Sequence, residues 1–476
     1  MSDIIGQARG VIVRRTPIPG LLLLDLELHG DQRGWFKENW QREAMTAAGL
    51  PDFTPVQQSI SFNTAPGTTR GIHGEPWDKL VSAAAGAFFG AWVDLREGPG
   101  FGRVVTAQIT PGRAVFVPRG VANSFQTLQP DTVYTYLVND HWSPDAVYSM
   151  VNLADAELGI AWPIPLDRAI VSDKDRAHPP LAEAVPVPAR KTLVIGAYGQ
   201  LGRALHALLG DGDTFEYVDI DTFDMTDPAV LTARHWRNYD TIVNAAAYTA
   251  VDRAETPEGR AACWAANVAG VANLTQIANA AGLTLVHVST DYVFDGSAER
   301  PYREDDAVAP LGVYGQTKAA GDALVATAAR HYIVRTSWVI GQGRNFVGTM
   351  ADLARRGVAP RVVDDQRGRL TFTQDLAAGI VHLLQTGAPY GLYNLTSAGP
   401  PRTWAEIAAQ VFSLVGADPA AVTPVSTAEY FAGAAGPVAP RPANSMLDLT
   451  KIEATGFTPD DGDARLAAFV AAQVAG

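Results

Sequence analysis

The chain has 476 residues, about three times the ~150 residues of an average domain, so more than one domain is expected. Its composition, 47% hydrophobic and 18% charged, supplies material for packed cores and excludes a chain that is disordered throughout. Acidic residues outnumber basic ones by 50 to 37, a net charge of −13, which argues against non-specific binding to nucleic acid or anionic membranes. Cys263 is the single cysteine, which excludes an internal disulfide and a cysteine-based metal cluster.

Two parts of the sequence bear on targeting and membrane insertion. The first residues, MSDIIGQARG, lack the basic and then apolar pattern of a signal peptide. The longest apolar run, residues 80–93, is too short to cross a bilayer. We therefore expect a cytoplasmic protein without a membrane partner.

The first half of the chain has the pattern of an all-β domain. Short runs rich in Val, Ile, Phe and Tyr alternate with Gly/Pro turns, which is typical of a sandwich or barrel. The runs are residues 10–14, 21–28, 81–93, 104–109, 114–117 and 133–138.

Closely spaced prolines end this region. Pro179, Pro180, Pro186 and Pro188 restrict the backbone to extended conformations, which predicts a stiff, solvated linker over residues 179–190. The alternative is a proline-rich loop inside one domain. The first domain would then span residues 1–178 and the second residues 191–476.

The second half alternates apolar strands with Ala-rich helical segments, which predicts an α/β fold with a parallel sheet. The predicted strands are residues 192–195, 215–220, 241–245, 284–289 and 332–336, and the longest predicted helix is 258–281.

A glycine motif follows the first of these strands. Gly196, Gly199 and Gly202 stand in a strand–turn–helix context, where they allow a pyrophosphate to approach the helix N-terminus. Asp219, at the end of the next strand, favours NAD(H) because a carboxylate accepts from a ribose hydroxyl and repels a 2′-phosphate. Arg203 keeps NADP(H) open as the alternative.

A tyrosine and a lysine lie further along at positions i and i+4. On a helix, Tyr314 and Lys318 would share one face, and an ammonium beside a phenol favours the phenolate. Thr290 ends the preceding strand, where its hydroxyl could bond a substrate carbonyl beside Tyr314. The spacing therefore indicates acid–base chemistry.

The second half resembles the extended short-chain dehydrogenase/reductases, and within them the dTDP-4-dehydrorhamnose reductases. The segments that carry the resemblance are GAYGQLG, VNAAAYTAVDRAE, STDYVFDG, PLGVYGQTKAAGD, RTSWVIGQGRNF and DDQRGRLT. It implies a Rossmann-type doubly wound sheet with a small C-terminal substrate lobe, and NADPH or NADH as hydride donor. Mg²⁺ is a further cofactor expectation for this half, with no ligands specified.

Site residues of the reductase half follow from the same resemblance. It makes Thr290, Tyr314 and Lys318 catalytic, and assigns the sugar to Asp291 and Trp338. Besides Tyr314 and Lys318, it assigns the cofactor to Gly196, Gly199, Gln200, Leu201, Gly202, Asp219, Asp224, Ala245 and Ala246. Leu370 replaces a proline that the family usually has.

One histidine of the first half stands out. His73 lies between Arg70 and Lys79, two cations that would lower its pKa, keep it a neutral base and attract a diphosphate. A metal site built on His73 and Glu75 is the alternative, but Asn123 occupies the position where such barrels usually place a second histidine. We therefore expect no metal there.

The first half resembles the dTDP-4-dehydrorhamnose 3,5-epimerases. The segments DQRGWFKE, RGIH, VDLREGPGFG, VPRGVANSF, AWP and VSDKD carry the resemblance. It implies a cupin-like jelly-roll barrel without metal that forms a homodimer. His73 would be the base, Asp175 its orienting carboxylate, Tyr136 the acid and Lys79 the group that stabilises the enolate. The substrate would be bound by Arg33, Phe36, Glu38, Arg70 and Asn123.

The two resemblances together predict a bifunctional enzyme. The barrel would epimerise dTDP-4-dehydro-6-deoxy-D-glucose at carbons 3 and 5, and the second half would reduce carbon 4 to give dTDP-L-rhamnose. One alternative is a degenerate or single-carbon epimerase that leads to another dTDP-deoxysugar. A second, from another class, is a non-catalytic nucleotide-binding regulatory subunit, against which the intact Thr290, Tyr314 and Lys318 argue.

Overall fold

The computed structural model describes residues 3–142 and 148–475. The chain forms two compact units, residues 1–189 and residues 190–476. No helix among the described residues is long and apolar enough to cross a membrane.

The first unit consists mainly of strands. They are β1 (Ile4–Ala8), β2 (Val11–Arg15), β3 (Leu22–Leu26), β4 (His29–Asp31), β5 (Gly34–Phe36), β6 (Gln57–Asn63), β7 (Thr69–Gly74), β8 (Lys79–Ala85), β9 (Phe88–Asp94), β10 (Val104–Ile109), β11 (Arg113–Val117), β12 (Val121–Thr127), β13 (Thr132–Val138) and β14 (Ser149–Met150). Two short helices are α1 (Arg42–Ala47) and α2 (Asp173–Arg176).

These strands form two antiparallel sheets that enclose an apolar core. One sheet has the order β1-β2-β3-β11-β8-β13-β6 and the other β10-β9-β12-β7-β14. Trp92 and Phe125 of the second sheet pack with Val81, Val115 and Tyr134 of the first. The all-β, jelly-roll-type prediction for this half is therefore confirmed.

The predicted run 81–93 is two strands rather than one. Gly86 has φ of +71° and separates β8 from β9. A Cβ at this position would lie 2.5 Å from Thr132 Oγ1, so glycine is required both by conformation and by space. The turn carries the chain from one sheet to the other, which explains why the apolar pattern continues across it.

The proline-rich segment 179–190 lies largely on the first unit. Val187 forms a parallel bridge with Arg96, its amide donates to Leu95 O at 2.7 Å, and it is only 1% exposed. Pro179 O accepts from the Asn152 amide at 2.8 Å. Leu181, Ala184 and Val187 of the segment are therefore buried, whereas most of its other residues are exposed.

The second unit alternates strands and helices. Its strands are β15 (Lys191–Ile195), β16 (Phe215–Val218), β17 (Tyr239–Asn244), β18 (Thr284–Thr290), β19 (His331–Thr336), β20 (Val339–Ile340), β21 (Arg361–Val363), β22 (Arg367–Gly368), β23 (Thr371–Phe372), β24 (Gly391–Asn394), β25 (Arg402–Thr403) and β26 (Thr423–Val425). Its helices are α3 (Gln200–Leu209), α4 (Pro228–Thr232), α5 (Pro257–Trp264), α6 (Val271–Ala281), α7 (Val313–Val325), α8 (Phe346–Arg355), α9 (Thr373–Thr386), α10 (Trp404–Leu414), α11 (Thr427–Phe431), α12 (Thr450–Glu453) and α13 (Gly462–Ala475).

The main sheet of this unit is parallel, with the order β16-β15-β17-β18-β19-β24. The strand order reverses between β15 and β17, and in open α/β sheets ligands bind at this switch point, outside the carboxyl ends of the strands. The predicted glycine motif follows β15, so the fold places it at the expected position. The parallel-sheet prediction is confirmed.

The predicted helix 258–281 contains a wider, π-type turn, Ala265–Gly270, between α5 and α6. Asn267 in this turn is buried. Its side chain accepts from the Tyr248 amide at 2.8 Å and donates to Thr317 Oγ1 on α7 at 3.1 Å. The irregular turn therefore ties α7 to the loop that follows β17.

A second core forms the small lobe. Helices α8, α10 and α13 supply Met350, Phe412 and Leu466 to it. Leu370, which replaces the usual proline, is buried in the same cluster, so this substitution contributes to the packing of the lobe.

Candidate active sites

The barrel brings together the predicted base and its orienting carboxylate. His73 lies on β7, and its Nε2 is 3.0 Å from Asp175 Oδ1. Ser172 caps α2 by accepting from the Asp175 amide at 3.1 Å, and this cap fixes the carboxylate, which is 6% exposed. The other carboxylate oxygen accepts from the Gly71 amide at 3.3 Å. Helix α2 thus positions Asp175 against the centre of β7.

The charge of Asp175 determines which imidazole nitrogen can act. Burial raises the pKa of Asp175, but the hydrogen bonds from His73 and the Gly71 amide outweigh burial and lower it. The ionised carboxylate only accepts, so His73 donates from Nε2. Nδ1 is then the nitrogen that can take up a proton.

Lys79 forms an ion pair that its spacing from His73 did not predict. The Lys79 ammonium contacts the Glu75 carboxylate, and Nζ lies 5.0 Å from the centre of the Tyr136 ring on β13. Burial lowers the pKa of Lys79 to about 7. We expected Lys79 to act as a cation on His73, but the structure pairs it with Glu75. Glu75 is therefore a site residue, although the sequence suggested it only as a metal ligand.

His178 is a buried histidine beside the His73–Asp175 pair. Its ring lies edge-on to that of His73, with centroids 5.3 Å apart, and its Nε2 is 3.8 Å from Asp175 Oδ1. Among the described residues, His73, Asp175 and His178 are the group of three whose ligand atoms could hold a metal ion. Because Glu75 pairs with Lys79, the fold does not assemble the alternative metal site built on His73 and Glu75.

The remaining predicted substrate residues of the barrel differ in position. Asn123 is opposite His73 in the sheet, but its amide accepts from Trp92 Nε1 at 3.0 Å and donates to Tyr134 Oη at 2.9 Å. Arg70 is exposed and donates to Asn63 Oδ1 at 3.4 Å. Arg33, Phe36 and Glu38 lie exposed on or beside the β4–β5 hairpin, whereas the His73 side chain bonds to Asp175.

In the second unit, the glycine motif forms a turn with no room for side chains. Gly196 has φ of +82°, and a Cβ there would lie 2.8 Å from the Ala246 amide nitrogen. A Cβ at Gly202 would lie 2.2 Å from Gly196 O. Gly199 caps α3 without a side-chain hydrogen bond, so the first-turn amides around Gln200 and Leu201 are available to an anion. These features fit a dinucleotide pyrophosphate.

Asp219 directly follows β16, beside this turn. Its carboxylate accepts from the Tyr198 amide and the Ile220 amide, both at 2.8 Å. Arg203 donates to Tyr198 O at 2.8 Å, so a carboxylate and a guanidinium flank the same loop. Both groups suited to an adenosine ribose, with or without a 2′-phosphate, are therefore present.

Asp224 and the alanines after β17 complete the set of predicted cofactor residues. Asp224 accepts from both the amide and the hydroxyl of Thr226, at 2.8 and 2.7 Å. Ala245 donates to Ile195 O at 3.0 Å, and the Ala246 amide donates to Asn244 Oδ1 at 3.2 Å. The alanines thus lie next to the glycine turn.

Thr290, Tyr314 and Lys318 converge at the carboxyl end of the sheet. Thr290 ends β18 and bonds to Tyr314, which stands in the first turn of α7. Glu255 accepts from the Val313 amide at 2.8 Å and holds the start of this helix. Burial raises the pKa of Tyr314, and the Asp291 carboxylate adds to the effect. The phenol of Tyr314 therefore retains its proton at neutral pH. This differs from our expectation, in which the Lys318 ammonium would favour the phenolate.

Lys318 is directed at the sheet. Its Nζ is 2.6 Å from Val288 O and 3.1 Å from His287 Nε2, and the side chain is 1% exposed. Burial lowers the pKa of Lys318 to about 8. His287 is a neighbour that the Tyr/Lys spacing did not reveal.

The two predicted sugar residues have defined environments. Asp291 is buried and accepts from Thr290 Oγ1 at 3.0 Å, and burial raises its pKa to about 6. Trp338 has φ of +47° and stacks on Trp404 with ring centroids 3.8 Å apart. Trp404 lies 66 positions later, so no local pattern indicated this pair. In the described part of the second unit, no three His, Cys, Asp or Glu side chains converge as metal ligands, so Mg²⁺ gains no support.

Comparisons with known proteins identify relatives of both units. The model of the RmlD substrate binding domain matches residues 190–474, and that of dTDP-4-dehydrorhamnose 3,5-epimerase matches residues 15–183. The chain is 48% identical over 177 residues to the protein RmlC homolog of Streptococcus pyogenes, covering 36% of this chain and 89% of that protein.

Relatives of the second unit are reductases. The chain is 41% identical over 283 residues to a dTDP-4-dehydrorhamnose reductase of Streptomyces griseus, covering 58% of this chain and 90% of that protein. It also superposes on the crystal structure of a Bacillus anthracis dTDP-4-dehydrorhamnose reductase in complex with NADP. That match has a TM-score of 0.55 and 31% identity, and covers 60% of this chain and 99% of that one. The chain therefore belongs to the dTDP-4-dehydrorhamnose 3,5-epimerase family in its first unit and to the RmlD reductase family in its second.

Proposed function

We propose that this chain makes dTDP-L-rhamnose by two successive reactions. The first unit epimerises dTDP-4-dehydro-6-deoxy-D-glucose at carbons 3 and 5, and the second reduces carbon 4 with NAD(P)H. The observation that carries the proposal is that one chain forms both catalytic groups. They are the His73–Asp175 pair at 3.0 Å and the convergence of Thr290, Tyr314 and Lys318.

The epimerisation uses a base and an acid. The 4-keto group acidifies the protons on carbons 3 and 5, and His73 Nδ1 removes one of them while Asp175 stabilises the imidazolium that results. Lys79, with a pKa of about 7, stabilises the negative charge on the enolate oxygen. Tyr136 then returns a proton to the opposite face of the same carbon, which inverts it.

The reduction requires a proton donor at the 4-keto oxygen. NAD(P)H supplies the hydride to carbon 4 when it is bound at the glycine turn. Thr290 and Tyr314 lie against each other, so a carbonyl oxygen that accepts from the phenol lies beside the Thr290 hydroxyl as well. Because burial raises the pKa of Tyr314, the proton that the reduction consumes is retained until then.

Cofactor preference is proposed to include NADPH. Asp219 already accepts two backbone amides, which reduces its ability to accept from a ribose hydroxyl. Arg203, in the first turns of α3, donates to Tyr198 O of the glycine loop and is a suitable partner for a 2′-phosphate. The Bacillus anthracis relative with NADP supports this choice.

A second product remains a candidate because of Asn123. Its amide oxygen accepts from Trp92 and its amide nitrogen donates to Tyr134, and it stands where the family usually has a histidine. Epimerisation at a single carbon, followed by reduction, would yield another dTDP-deoxysugar.

Product identification distinguishes these candidates. The 4-keto nucleotide sugar is incubated with the full chain and NADPH, and the product is analysed by NMR. We expect dTDP-L-rhamnose; a sugar inverted at one carbon only would support the second candidate, and an unreacted sugar would contradict both.

We also propose that the protein forms a homodimer through its barrel. The edge strand β6 exposes Ile60 (66%) and Phe62 (58%), and the β4–β5 hairpin that bears Arg33 and Phe36 is exposed as well. A second copy that covers β6 would hide this apolar edge and bring a hairpin to each site.

Sedimentation equilibrium tests the dimer. Ile60→Glu combined with Phe62→Glu should shift the protein from dimer to monomer, whereas Tyr430→Glu, an exposed position of the second unit, should not. A wild-type monomer would contradict the proposal. We further propose a cytoplasmic location, where NAD(P)H and nucleotide sugars are available and a single cysteine stays reduced.

A further inference from the structure

The buried histidine His178 takes no part in the proposed reactions. It lies two positions after α2 and is 8% exposed, and neither of its ring nitrogens has a hydrogen-bond partner among the described residues. The backbone of Val151 is close to the ring but outside hydrogen-bonding geometry. Buried polar groups in folded proteins are nearly always bonded, because burial without a partner costs free energy. The nitrogens of His178 are therefore available to a ligand.

Asn152 holds the backbone at His178 in place. Its side-chain amide donates to Arg176 O at 2.8 Å and to His178 O at 3.0 Å. Its backbone amide donates to Pro179 O at 2.8 Å. Three hydrogen bonds from one residue thus anchor the segment on both sides of the ring.

The ring of His178 faces the same carboxylate oxygen as the ring of His73. His178 Nε2 lies 3.8 Å from Asp175 Oδ1, and His73 Nε2 lies 3.0 Å from that atom. Each of the three residues offers a ligand atom within 4.8 Å of the other two. With bonds of about 2.0–2.2 Å, tetrahedral coordination places neighbouring ligand atoms about 3.4 Å apart. The two measured distances lie on either side of this value, so small side-chain shifts bring all three ligands to one ion.

The types of ligand determine which ions fit. Two imidazole nitrogens with one carboxylate oxygen suit Zn²⁺ and similar transition-metal ions, whereas Mg²⁺ and Ca²⁺ prefer oxygen ligands. The side chains of His178 and Asp175 are 7% and 8% exposed, and that of His73 is 32% exposed. An ion would therefore enter past His73, where water can supply a fourth ligand.

We propose that His73, Asp175 and His178 form a binding site for Zn²⁺ or a similar divalent transition-metal ion, and that this ion inhibits the first unit. The site is distinct from the alternative built on His73 and Glu75, because Glu75 is paired with Lys79. His178 supplies the third ligand, which the His73–Asp175 pair lacks.

The inhibition rests on the proposed epimerisation. A metal ion takes the lone pair of His73 Nε2, so the single proton of the neutral ring moves to Nδ1. Nδ1 is the nitrogen that removes the sugar proton, and once protonated it can only donate. The ring keeps the same number of protons, but the base is no longer available. The ion therefore blocks the epimerisation that the free His73–Asp175 pair performs.

Calorimetric titration of Zn²⁺ into the full chain tests binding without sugar or NADPH. We expect one ion per chain. In His178→Gln the affinity should be at least about tenfold weaker, because changes outside the ligands already cost about 10–100-fold. His206→Gln is the matched control and should bind as the wild type does, since His206 also contacts an aspartate, Asp211, but at an exposed place on the second unit. Equal affinity in His178→Gln and wild type would mean an adventitious ion only and would overturn the proposal.

The wild-type protein decides the question even if His178→Gln does not fold. Crystals of the full chain grown with Zn²⁺ are measured at the zinc absorption edge. We expect an anomalous difference peak between His73, Asp175 and His178. An ion bound elsewhere, with no peak at these three residues, would contradict the assignment.

Inhibition is measured as solvent deuterium incorporation into the keto sugar without NADPH. Saturating Zn²⁺ should lower the exchange at least tenfold in the wild type, and a chelator should restore it. His178→Gln, compared with its own metal-free rate, should need at least tenfold more Zn²⁺ for the same loss. Mg²⁺ also binds diphosphates, so it controls for an effect on the substrate and should not inhibit. Equal inhibition by Mg²⁺, or equal Zn²⁺ sensitivity of His178→Gln, would overturn inhibition through this site.

Failure of the proposed function is distinguishable from failure of the metal site. A wild type that shows no deuterium exchange in metal-free buffer would contradict the epimerisation. Calorimetry and diffraction use neither the sugar nor NADPH, so they would still show whether His73, Asp175 and His178 bind the ion.

Discussion

His73 and Asp175 lie 102 positions apart in the chain and are joined by a 3.0 Å contact between Nε2 and Oδ1. The contact depends on α2, a helix of only four residues whose cap at Ser172 holds the carboxylate. A short segment after the last barrel strand therefore completes a site that begins on β7.

Replacing His73 should remove the base of the first unit. In His73→Ala we expect solvent deuterium incorporation into the keto sugar to fall by about 10²–10⁴-fold, the usual contribution of general base catalysis. The exchange is followed by NMR without NADPH. Reduction of already epimerised substrate by the same variant is the control and should be unaffected; persistent exchange would show that another residue is the base.

Glu75 should support Lys79. In Glu75→Gln the ammonium loses its partner, its pKa falls further below about 7, and at neutral pH it no longer stabilises the enolate. Deuterium exchange should drop about 10²-fold. Breaking a buried ion pair should also lower the free energy of unfolding by ~3–5 kcal/mol.

A double variant separates these two effects. Glu75→Gln combined with Lys79→Met should regain stability in thermal melts without regaining exchange, because the buried amine that lost its partner is gone, and with it the group that stabilises the enolate. Exchange at the wild-type rate in either variant would contradict the role of Lys79.

Tyr314→Phe should abolish the reduction while leaving NADPH binding intact. Removal of the proton donor should lower kcat by about 10²–10⁴-fold, measured from NADPH absorbance with epimerised substrate. Tyr390→Phe, an exposed tyrosine of the same unit, is the matched control and should retain full activity. Near wild-type turnover in Tyr314→Phe would rule out the phenol as the acid.

Asp291 should make stability depend on pH near 6. Its pKa is raised to about 6 in the folded protein, so its contribution is favourable below the ordinary carboxyl pKa and is lost as pH rises through about 6. Asp291→Asn should therefore be more stable than the wild type at pH 8, by about 3 kcal/mol. At pH 4 the two should be equal. Chemical unfolding at both values checks this, and an equal difference at both would show that Asp291 does not titrate there.

Most of the predictions that the sequence allowed came from recognisable motifs. Residues at turns and strand ends, such as Gly196 and Thr290, occupy the predicted positions because local geometry and hydrophobic pattern define those places. The pairings of side chains from distant segments were harder, because the Trp338–Trp404 stack and the Lys318–His287 contact depend on tertiary packing. The Lys79–Glu75 pair is local, since the two residues are four positions apart, but the turn between β7 and β8 decides whether the side chains meet.

Proline content alone does not decide whether a segment is free or packed. Proline restricts the backbone to an extended form, and an extended segment serves equally as a free linker or as an edge against a sheet. The choice depended on Val187 and Leu181, two apolar side chains that the first unit buries.

The bridge between Val187 and Arg96 has a practical consequence for dividing the protein into separately expressed halves. A barrel fragment cut at residue 178 would leave the Leu95 carbonyl and the Glu97 amide without the partners that Val187 provides. These backbone groups would be left unpaired at the surface, and unpaired backbone groups at a sheet edge promote aggregation of β proteins. A cut after residue 189 keeps that edge covered and should yield the barrel in soluble form.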